Sequence, residues 1–355
     1  MMGKCGATTR HGKVHIGRWL ACLLAVVLIV PLIPYTFADK GASGNVPNPG
    51  AELWREVRQR DGPTVGTTQV QGVDTGVLIN VRGEEWRQFR MQTLVPVSGM
   101  VLGAAVGLIA LFYLVRGTIR VPGGRSGQRV ARFTEYDRIL HWSTVFLFYF
   151  LGITGLVLLY GRFVLIPLLG PEGFAVTASA CKEGHNLFGP LFFVVLVLLF
   201  LEFVRSNIPK WVDVKWLLKG GGLFGGHASA GYFNGGEKIW FWLVSLFGLA
   251  ISITGFILVF QNFDQGRQIM ELSHVVHASL AVLLIAGSFG HAYIGTLGME
   301  GSLESMTTGS VDANWAKAHH DLWMEERKAK GLDDDAVSEP QAETPDSKSA
   351  PGYQT

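Results

Sequence analysis

The stretch HVVHASLAVLLIAGSFGH, residues 274–291, carries three histidines in an otherwise apolar segment. Histidine is costly in hydrocarbon and is retained there for a function. His277 and His291 are fourteen residues apart, close to four helical turns, so they project from one face about 21 Å apart along the axis. Two histidines so far apart cannot bind one metal ion. We therefore expect each to bind a separate cofactor, one near each membrane surface.

The composition places the whole chain in a membrane. Of its 355 residues 48% are hydrophobic and 16% are charged, whereas a soluble domain carries about a quarter charged residues. Five apolar runs are near the roughly 20 residues that cross a bilayer as a helix; they span about residues 94–115, 139–160, 185–204, 239–260 and 270–297. The net charge of +2 gives no reason to expect a nucleic-acid partner. These features predict an all-α integral membrane protein in contact with the lipid bilayer.

Several common cofactor signatures are missing from the sequence. It contains no CxxCH motif for covalent haem and no glycine-rich phosphate loop between a strand and a helix. The three cysteines have no metal-binding spacing, so we expect none of them to be a ligand; Cys181 is predicted to lie in a loop. Residues 76–81, GVLINV, predict a short strand, and EEWRQFRMQ, residues 84–92, predicts the start of a helix.

Charged residues around the apolar runs predict the topology. Residues 1–38 combine basic residues, a short apolar core and a possible cleavage site at Ala38, which is typical of a signal peptide, with an anchor helix as the alternative. Basic residues concentrate between runs one and two and between runs three and four. By the positive-inside rule those loops and the C-terminal tail are cytoplasmic, and residues 39–92 lie outside. The protein is then a multi-pass protein of the bacterial inner membrane, with residues 39–92 periplasmic.

This topology pairs four histidines by depth. His185 and His277 lie near the outer surface, and His141 and His291 lie near the cytoplasmic surface. Imidazole is a common axial ligand of haem, and a porphyrin fits between the helices of a bundle. Zinc would need four clustered ligands, which this sequence does not offer. We expect two haems, and we expect His274 to have an interfacial or supporting role and His319 and His320 to be solvated in the tail.

Six segments resemble the gamma subunit, a cytochrome b, of membrane-bound respiratory formate dehydrogenases. They cover roughly residues 132–323 and read RFTEYDRILHWSTVFLFYFLGITGL, GHNLFGPLFF, NIPKWVDVKWLL, YFNGGEKIWFW, HVVHASLAVLLIAGSFGHAYIGT and VDANWAKAHHDLW. The resemblance implies a four-helix bundle with two b haems, whose ligands fall on the same four histidines. It also implies a quinone site at the cytoplasmic haem. Its residues would be Asn234, Gly236, Glu237 and His291, although Glu237 stands where the family has Gln.

The resemblance implies an electron-transfer subunit rather than a catalyst for formate. Its partners would be a catalytic alpha subunit with molybdenum or tungsten, an iron–sulfur beta subunit, and quinone as substrate. Electrons would pass from the outer haem to quinone on the cytoplasmic side and contribute to proton-motive force. Glu237 would then be a candidate proton donor. Arg132 and Arg138 would contact haem propionates or would serve only as topology signals.

These expectations divide the chain into five parts. They are a signal peptide or anchor (1–38), an extracytoplasmic segment (39–92), an extra transmembrane helix (93–117), a four-helix di-haem cytochrome b core (132–298) and a cytoplasmic tail (299–355). Within the tail, WAKAHHDLWMEERKAKG predicts one amphipathic helix, and the end after it is predicted to be disordered.

Three alternatives stay open from the sequence. A membrane-bound hydrogenase or a thiosulfate reductase would use the same di-haem cytochrome b. A transporter with a proton relay of histidines would be expected to carry intramembrane acids and internal repeats; the runs contain little acid besides Glu202, and no internal repeat is evident. A haem-free membrane anchor for catalytic subunits would tolerate loss of all four histidines.

Overall fold

The chain is a bundle of long apolar helices. The computed structural model describes residues 83–222, 227–260 and 265–332, together with the backbone of 337–338. In these ranges five helices are long and apolar enough to cross a membrane: Gly83–Arg116, Glu135–Val164, Ile166–Phe203, Gly235–Val259 and Arg267–Gly298. The predicted all-α membrane class is confirmed. The predicted signal peptide, the strand at 76–81 and the C-terminal end after residue 338 lie outside the described residues.

The elements follow one another with short connections. In chain order they are α1 (Gly83–Phe89), a π-helical turn (Arg90–Leu94), α2 (Val95–Arg116), β1 (Gln128–Ala131), α3 (Glu135–Val164), α4 (Ile166–Phe203), α5 (Trp211–Leu218), a 3₁₀ turn (Gly220–Gly222), α6 (Gly235–Val259), α7 (Arg267–Tyr293), a second π-helical turn (Ile294–Gly298), α8 (Glu304–Thr307), β2 (Ser310–Asp312), α9 (Ala313–His319), α10 (Asp321–Ala329) and β3 (Val337–Ser338). The strands form one small antiparallel sheet in the order β2-β1-β3.

Two helix pairs build the bundle. Helix α3 packs along α4, and α6 packs along α7; α4 also contacts α6, and α2 lies against α7. The core between α3 and α4 contains Leu147, Phe192 and Leu196, each at most 4% exposed. Helices α4 and α6 approach closely at Gly248, where a Cβ would lie 2.7 Å from Cδ2 of Leu196. Large apolar side chains on α2 remain exposed, among them Leu108 and Leu114, as expected for a surface that faces lipid.

A compact structure, which we call the cap, covers one end of the bundle. It consists of residues 117–134, the described residues of 204–234, and residues 299–332. Its core includes Val311, Trp315 and Trp323, and β1 pairs with β2 across it. The three segments that the charge pattern predicts to be cytoplasmic therefore gather at one end; the side of the membrane on which this end lies stays a prediction.

Three local predictions are wrong. Cys181 lies within α4 rather than in a loop, because α4 begins far before the predicted run and is interrupted only at Gly170, whose φ is 73°. The tail segment forms two short helices, α9 and α10, which are separated at His320. His320 is not solvated: it is 1% exposed, and its Nδ1 lies 2.8 Å from the carbonyl oxygen of Gly231. His319 is half-buried. Trp315 and Ala316 of α9 and Trp323 of α10 belong to the cap core, and the two histidines lie between them in sequence.

Candidate functional site

The outer pair of histidines meets between α4 and α7. The ring centroids of His185 and His277 are 6.1 Å apart, with their planes at 62°. A metal atom held between two imidazoles, at about 2 Å from each coordinating nitrogen, would separate the ring centroids by about 6.3 Å. The spacing between the two rings therefore fits two axial ligands of one metal atom.

The inner pair has nearly the same spacing at the other end of the bundle. The ring centroids of His141, on α3, and His291, on α7, are 6.2 Å apart. Helix α7 runs without a break from Arg267 to Tyr293, so His277 and His291 keep the helical spacing of about 21 Å. The indole of Trp240 stacks on His291 at 5.4 Å. The structure thus brings together the two pairs that topology predicts.

Hydroxyl groups of two threonines contact the outer pair. Oγ1 of Thr154 lies 2.9 Å from Nδ1 of His185, and Oγ1 of Thr254 lies 3.2 Å from Nδ1 of His277. In contrast, the buried Nδ1 of His141 has no hydrogen-bond partner among the described residues.

A cavity of about 510 Å³ surrounds the outer histidines. Most of its wall is apolar, and the glycines 152, 155, 189 and 255 help to line it. Trp86 and Arg90, from α1 and the π-helical turn, form part of the wall together with Lys182 and His274. The Nδ1 atom of His274 lies 2.9 Å from the carbonyl oxygen of Met270, and its ring contacts the edge of Trp86; its interfacial or supporting role stays a prediction.

The donor set suits a group that brings its own equatorial ligands. Among the described residues no cluster of three or more His, Cys, Asp or Glu side chains is arranged to hold a bare metal ion. Two facing imidazoles whose ring centroids are 6.1–6.2 Å apart are instead the protein's share of a bis-histidine haem. The residues at both depths fit such a group.

Comparison with known proteins agrees with this geometry. Residues 132–309 match the family described as prokaryotic cytochrome b561. The chain belongs to this family. The family is one of all-helical membrane haem proteins, and its cytochrome b character implies haem b.

Relatives point to one branch of respiratory enzymes. The nitrate-inducible formate dehydrogenase cytochrome b556(Fdn) subunit of Escherichia coli K12 is 30% identical over 206 residues, which cover 56% of this chain and 91% of the relative. The formate dehydrogenase cytochrome b556 subunit of Haemophilus influenzae is 29% identical over 222 residues, covering 59% and 89%. The cytochrome b556(fdo) subunit of E. coli K12 is 26% identical over 202 residues, covering 56% and 92%. The predicted resemblance to formate dehydrogenase cytochrome b subunits is confirmed.

The predicted quinone turn of this cytochrome b forms the start of α6. Asn234 caps the helix: its Oδ1 accepts a hydrogen bond from the backbone N–H of Glu237, and Oε2 of Glu237 accepts one from the N–H of Asn234. This reciprocal pair is a capping box. Gly236 packs under Trp216, where a Cβ would lie 3.1 Å from the indole. Asn234 and Glu237 therefore both have structural hydrogen bonds at this position.

Glu237 also joins the bundle to the cap. Its Oε1 lies 3.1 Å from Nη2 of Arg132, whose side chain is 2% exposed. The same nitrogen donates to the carbonyl oxygen of Tyr232 at 2.8 Å. The guanidinium carbon lies 5.0–5.9 Å from the centroids of five aromatic rings, those of Phe133, Tyr232, Phe233, Trp315 and Trp323. Arg132 is thus a buried partner of Glu237 in the cap, a role that the sequence analysis did not predict.

Burial in the cap shifts two further groups. Burial, reinforced by the neighbouring Arg132 guanidinium, lowers the pKa of His320 to about 4, so this imidazole is neutral at pH 7. Burial raises the pKa of Tyr232, whose hydroxyl donates to the carbonyl oxygen of Arg132 at 2.5 Å. Arg138 is engaged through Nη1, which donates to the carbonyl oxygen of Thr307 at 2.6 Å.

Some residues of the site were missed from the sequence. Trp86 and Arg90 precede the family match, and the segment that carries them was predicted only to be extracytoplasmic and to begin a helix. Thr154 and Thr254 were missed because hydroxyl residues are ordinary in membrane helices. A usable signal existed, since both stand in the same tripeptide, Ile-Thr-Gly.

Proposed function

We propose that this chain is the membrane cytochrome b subunit of a formate dehydrogenase, which carries electrons from formate oxidation to quinone. The observation that carries the proposal is the two histidine pairs, with ring spacings of 6.1 and 6.2 Å at opposite ends of one bundle. The relatives, all formate dehydrogenase cytochrome b556 subunits, support the choice of electron donor.

Each histidine pair would hold one haem b. His185 and His277 would bind the outer haem, and His141 and His291 the inner one. When bound, two such haems supply one-electron carriers at two depths, and filling both axial positions favours electron transfer over oxygen chemistry. The chain fixes the depths, since α7 carries one ligand of each pair, and its apolar walls keep water from the ligands.

The rim of the outer cavity would complete that site. A haem carries two carboxylates, and the cationic side chains of Arg90 and Lys182 both line the cavity. Arg90 comes from the segment before α2, so the N-terminal extension would contribute to the outer haem site rather than act only as a spacer.

The partners follow from the chemistry that this chain lacks. Formate oxidation would require a catalytic alpha subunit with molybdenum or tungsten, and an iron–sulfur beta subunit would deliver electrons to the outer end. We place residues 39–92 in the periplasm and the cap in the cytoplasm of a bacterial inner membrane, with residues 1–38 as a signal peptide or anchor. Moving each electron inward across the full potential is worth about 2.3 kcal/mol per 100 mV, so the reaction contributes to proton-motive force.

Quinone would bind beside the inner pair, near Asn234, Gly236, Glu237 and His291. This placement rests on the family resemblance and on the turn's position at the end of α6 that faces the cap. The capping bonds of Asn234 and Glu237 hold the turn, and the Glu237 carboxylate also pairs with Arg132.

An optical difference spectrum tests the proposal. Membranes containing the complex are reduced with formate and compared with air-oxidised and dithionite-reduced membranes. We expect formate to reduce a b-type signal that is absent without this chain. His277→Leu should remove the outer haem's part of the dithionite-reduced signal and, because electrons enter at that haem, the whole of the formate-reduced signal. His274→Leu is the matched control, one turn away and on the same helix, and it should keep the full signal.

The possible results separate the parts of the proposal. A signal that appears with dithionite or hydrogen but not with formate would keep the haem sites and reject the donor. A full signal in the chain that lacks His277 would reject the haem assignment itself.

A further inference from the structure

The two helix pairs of the bundle repeat one another, although the sequence analysis found no internal repeat. Helix α3 starts after the capping residue Thr134 and carries Ile-Thr-Gly at 153–155; α6 starts after Asn234 and carries Ile-Thr-Gly at 253–255. In both helices the threonine stands twenty residues after the N-capping residue. The expectation of no repeat is therefore wrong.

The repeat extends to the contacts of its members. Trp142 and Trp242 each stand eight residues after the capping residue of their helix. Both donate through Nε1 to a backbone carbonyl oxygen of the cap, that of Met306 at 2.9 Å and that of Asn207 at 3.0 Å. Both threonines face a histidine on the next membrane helix. The outer histidines are thus held by two equivalent halves of the bundle.

The hydroxyl of each threonine has a defined direction. Thr154 donates to the carbonyl oxygen of Phe150 at 2.9 Å, and Thr254 donates to that of Ala250 at 2.8 Å. A hydroxyl has one hydrogen to donate and lone pairs with which to accept. Because the hydrogen is used within the helix, the oxygen faces Nδ1 of the histidine as an acceptor. A proton on Nδ1 satisfies this arrangement and leaves the lone pair at Nε2 free.

The glycine after each threonine gives the imidazole its room. A Cβ on Gly155 would lie 3.3 Å from Cε1 of His185, and a Cβ on Gly255 would lie 3.3 Å from Cε1 of His277. Both distances are shorter than an ordinary carbon–carbon contact of about 3.5–4.0 Å. The dipeptide Thr-Gly therefore sets both the tautomer and the position of the imidazole ring.

We propose that Thr154 and Thr254 are positioning residues for the outer haem, each fixing its axial histidine with Nδ1 protonated and Nε2 free for iron. The inference rests on the outer haem site of the proposed function, but not on its donor or acceptor. An acceptor at Nδ1 makes an imidazole a more basic ligand. More basic ligands stabilise the oxidised iron, so the two threonines lower the midpoint potential of the outer haem.

A redox titration of both haems in membranes tests this. The variants are Thr154→Val, Thr254→Val and the double variant, which remove the hydroxyl acceptor and keep the shape of the side chain. Thr154→Ser and Thr254→Ser keep the hydroxyl. Thr144→Val is the matched control: Thr144 also donates to its own helix, at 2.8 Å to the carbonyl oxygen of Leu140, and its hydroxyl has no histidine partner among the described residues. The titration uses chemical mediators and dithionite, so it needs neither formate nor quinone.

We expect each valine variant to raise the midpoint potential of one haem, the double variant to raise it further, and the serine variants to keep the wild-type value. The haem whose midpoint potential shifts should be the one that is lost in His277→Leu. Unchanged potentials in the double valine variant would overturn the proposal. If a valine variant loses the outer haem, the serine variant at the same position decides. A haem retained by the serine variant supports the role of the hydroxyl. Loss of the haem in both variants would show that only the methyl group matters and would overturn the proposal. A complex that fails to use formate but shows these shifts would reject the donor and keep the inference.

Discussion

Replacing Glu237 by Gln should loosen the junction between the bundle and the cap. Breaking a buried ion pair by removing one charge costs about 3–5 kcal/mol. Glu237 is 34% exposed while Arg132 is 2% exposed, so solvent screening brings the cost slightly below that range. The glutamine oxygen can still accept from the N–H of Asn234, and Arg132 keeps its bond to the carbonyl oxygen of Tyr232. We expect a loss of about 2.5 kcal/mol in the free energy of local opening.

Hydrogen–deuterium exchange measures this opening directly. At about 1.4 kcal/mol per factor of ten, the loss corresponds to roughly 60-fold faster exchange of the amides between Tyr232 and Glu237. The exposed pair of Glu326 and Lys330 is the matched control: Glu326→Gln removes the same chemical group and should cost less than about 1 kcal/mol. Both variants are compared in the intact complex.

A double variant separates the ion pair from the capping box. When Arg132→Met accompanies Glu237→Gln, the unpaired charge is gone, so exchange should return part of the way to the wild-type rate. Equal exchange in wild type and Glu237→Gln would refute the assignment of Glu237 as the partner that stabilises Arg132. Slow quinone reduction with unchanged exchange would instead favour proton delivery by Glu237, whereas unchanged quinone reduction would reject that role.

Three further predictions concern the outer site and the cap. Gly255→Ala places a Cβ 3.3 Å from Cε1 of His277 and should lower the haem content per chain. Gly103→Ala is the control, because its Cβ would have no atom within 4 Å, and it should keep the haem content. A pyridine haemochrome assay measures the haem content of both variants. Arg90→Gln should lower the midpoint potential of the outer haem, because losing a nearby cation favours the oxidised iron. The pKa of His320 is lowered from 6.5 to about 4, so its contribution to stability is present above pH 6.5 and is lost as the pH falls toward 4. Exchange in the cap should reveal a loss of about 2 kcal/mol between about pH 7.5 and pH 5, and His320→Gln should remove this dependence.

The membrane helices and their histidines were the predictable part of this protein. A polar residue in hydrocarbon stands out against a uniform background, so depth and helical period suffice to pair His277 with His185 and His291 with His141. Near the cap this reasoning fails. His320 was predicted to be solvated because its segment is polar, yet Trp315 and Trp323 on either side pack into the cap core and bury it. Arg132 was treated as a charge near a surface, since nothing local signals the aromatic rings that converge on it from distant segments.

The repeat explains why the two ends of the bundle differ. At the outer end the halves are equivalent, because each supplies one Thr-Gly pair and one histidine. At the inner end the equivalence is broken: the position in α6 that corresponds to His141 is Phe241, which stacks on Phe200 at 5.9 Å. The second inner histidine comes instead from the far end of α7. In the proposed function the symmetric outer site would only pass electrons inward, whereas quinone would need a site on one side of the inner haem. The two halves therefore differ, with histidine in α3 and phenylalanine in α6, at the end of the bundle where the proposed reaction takes place.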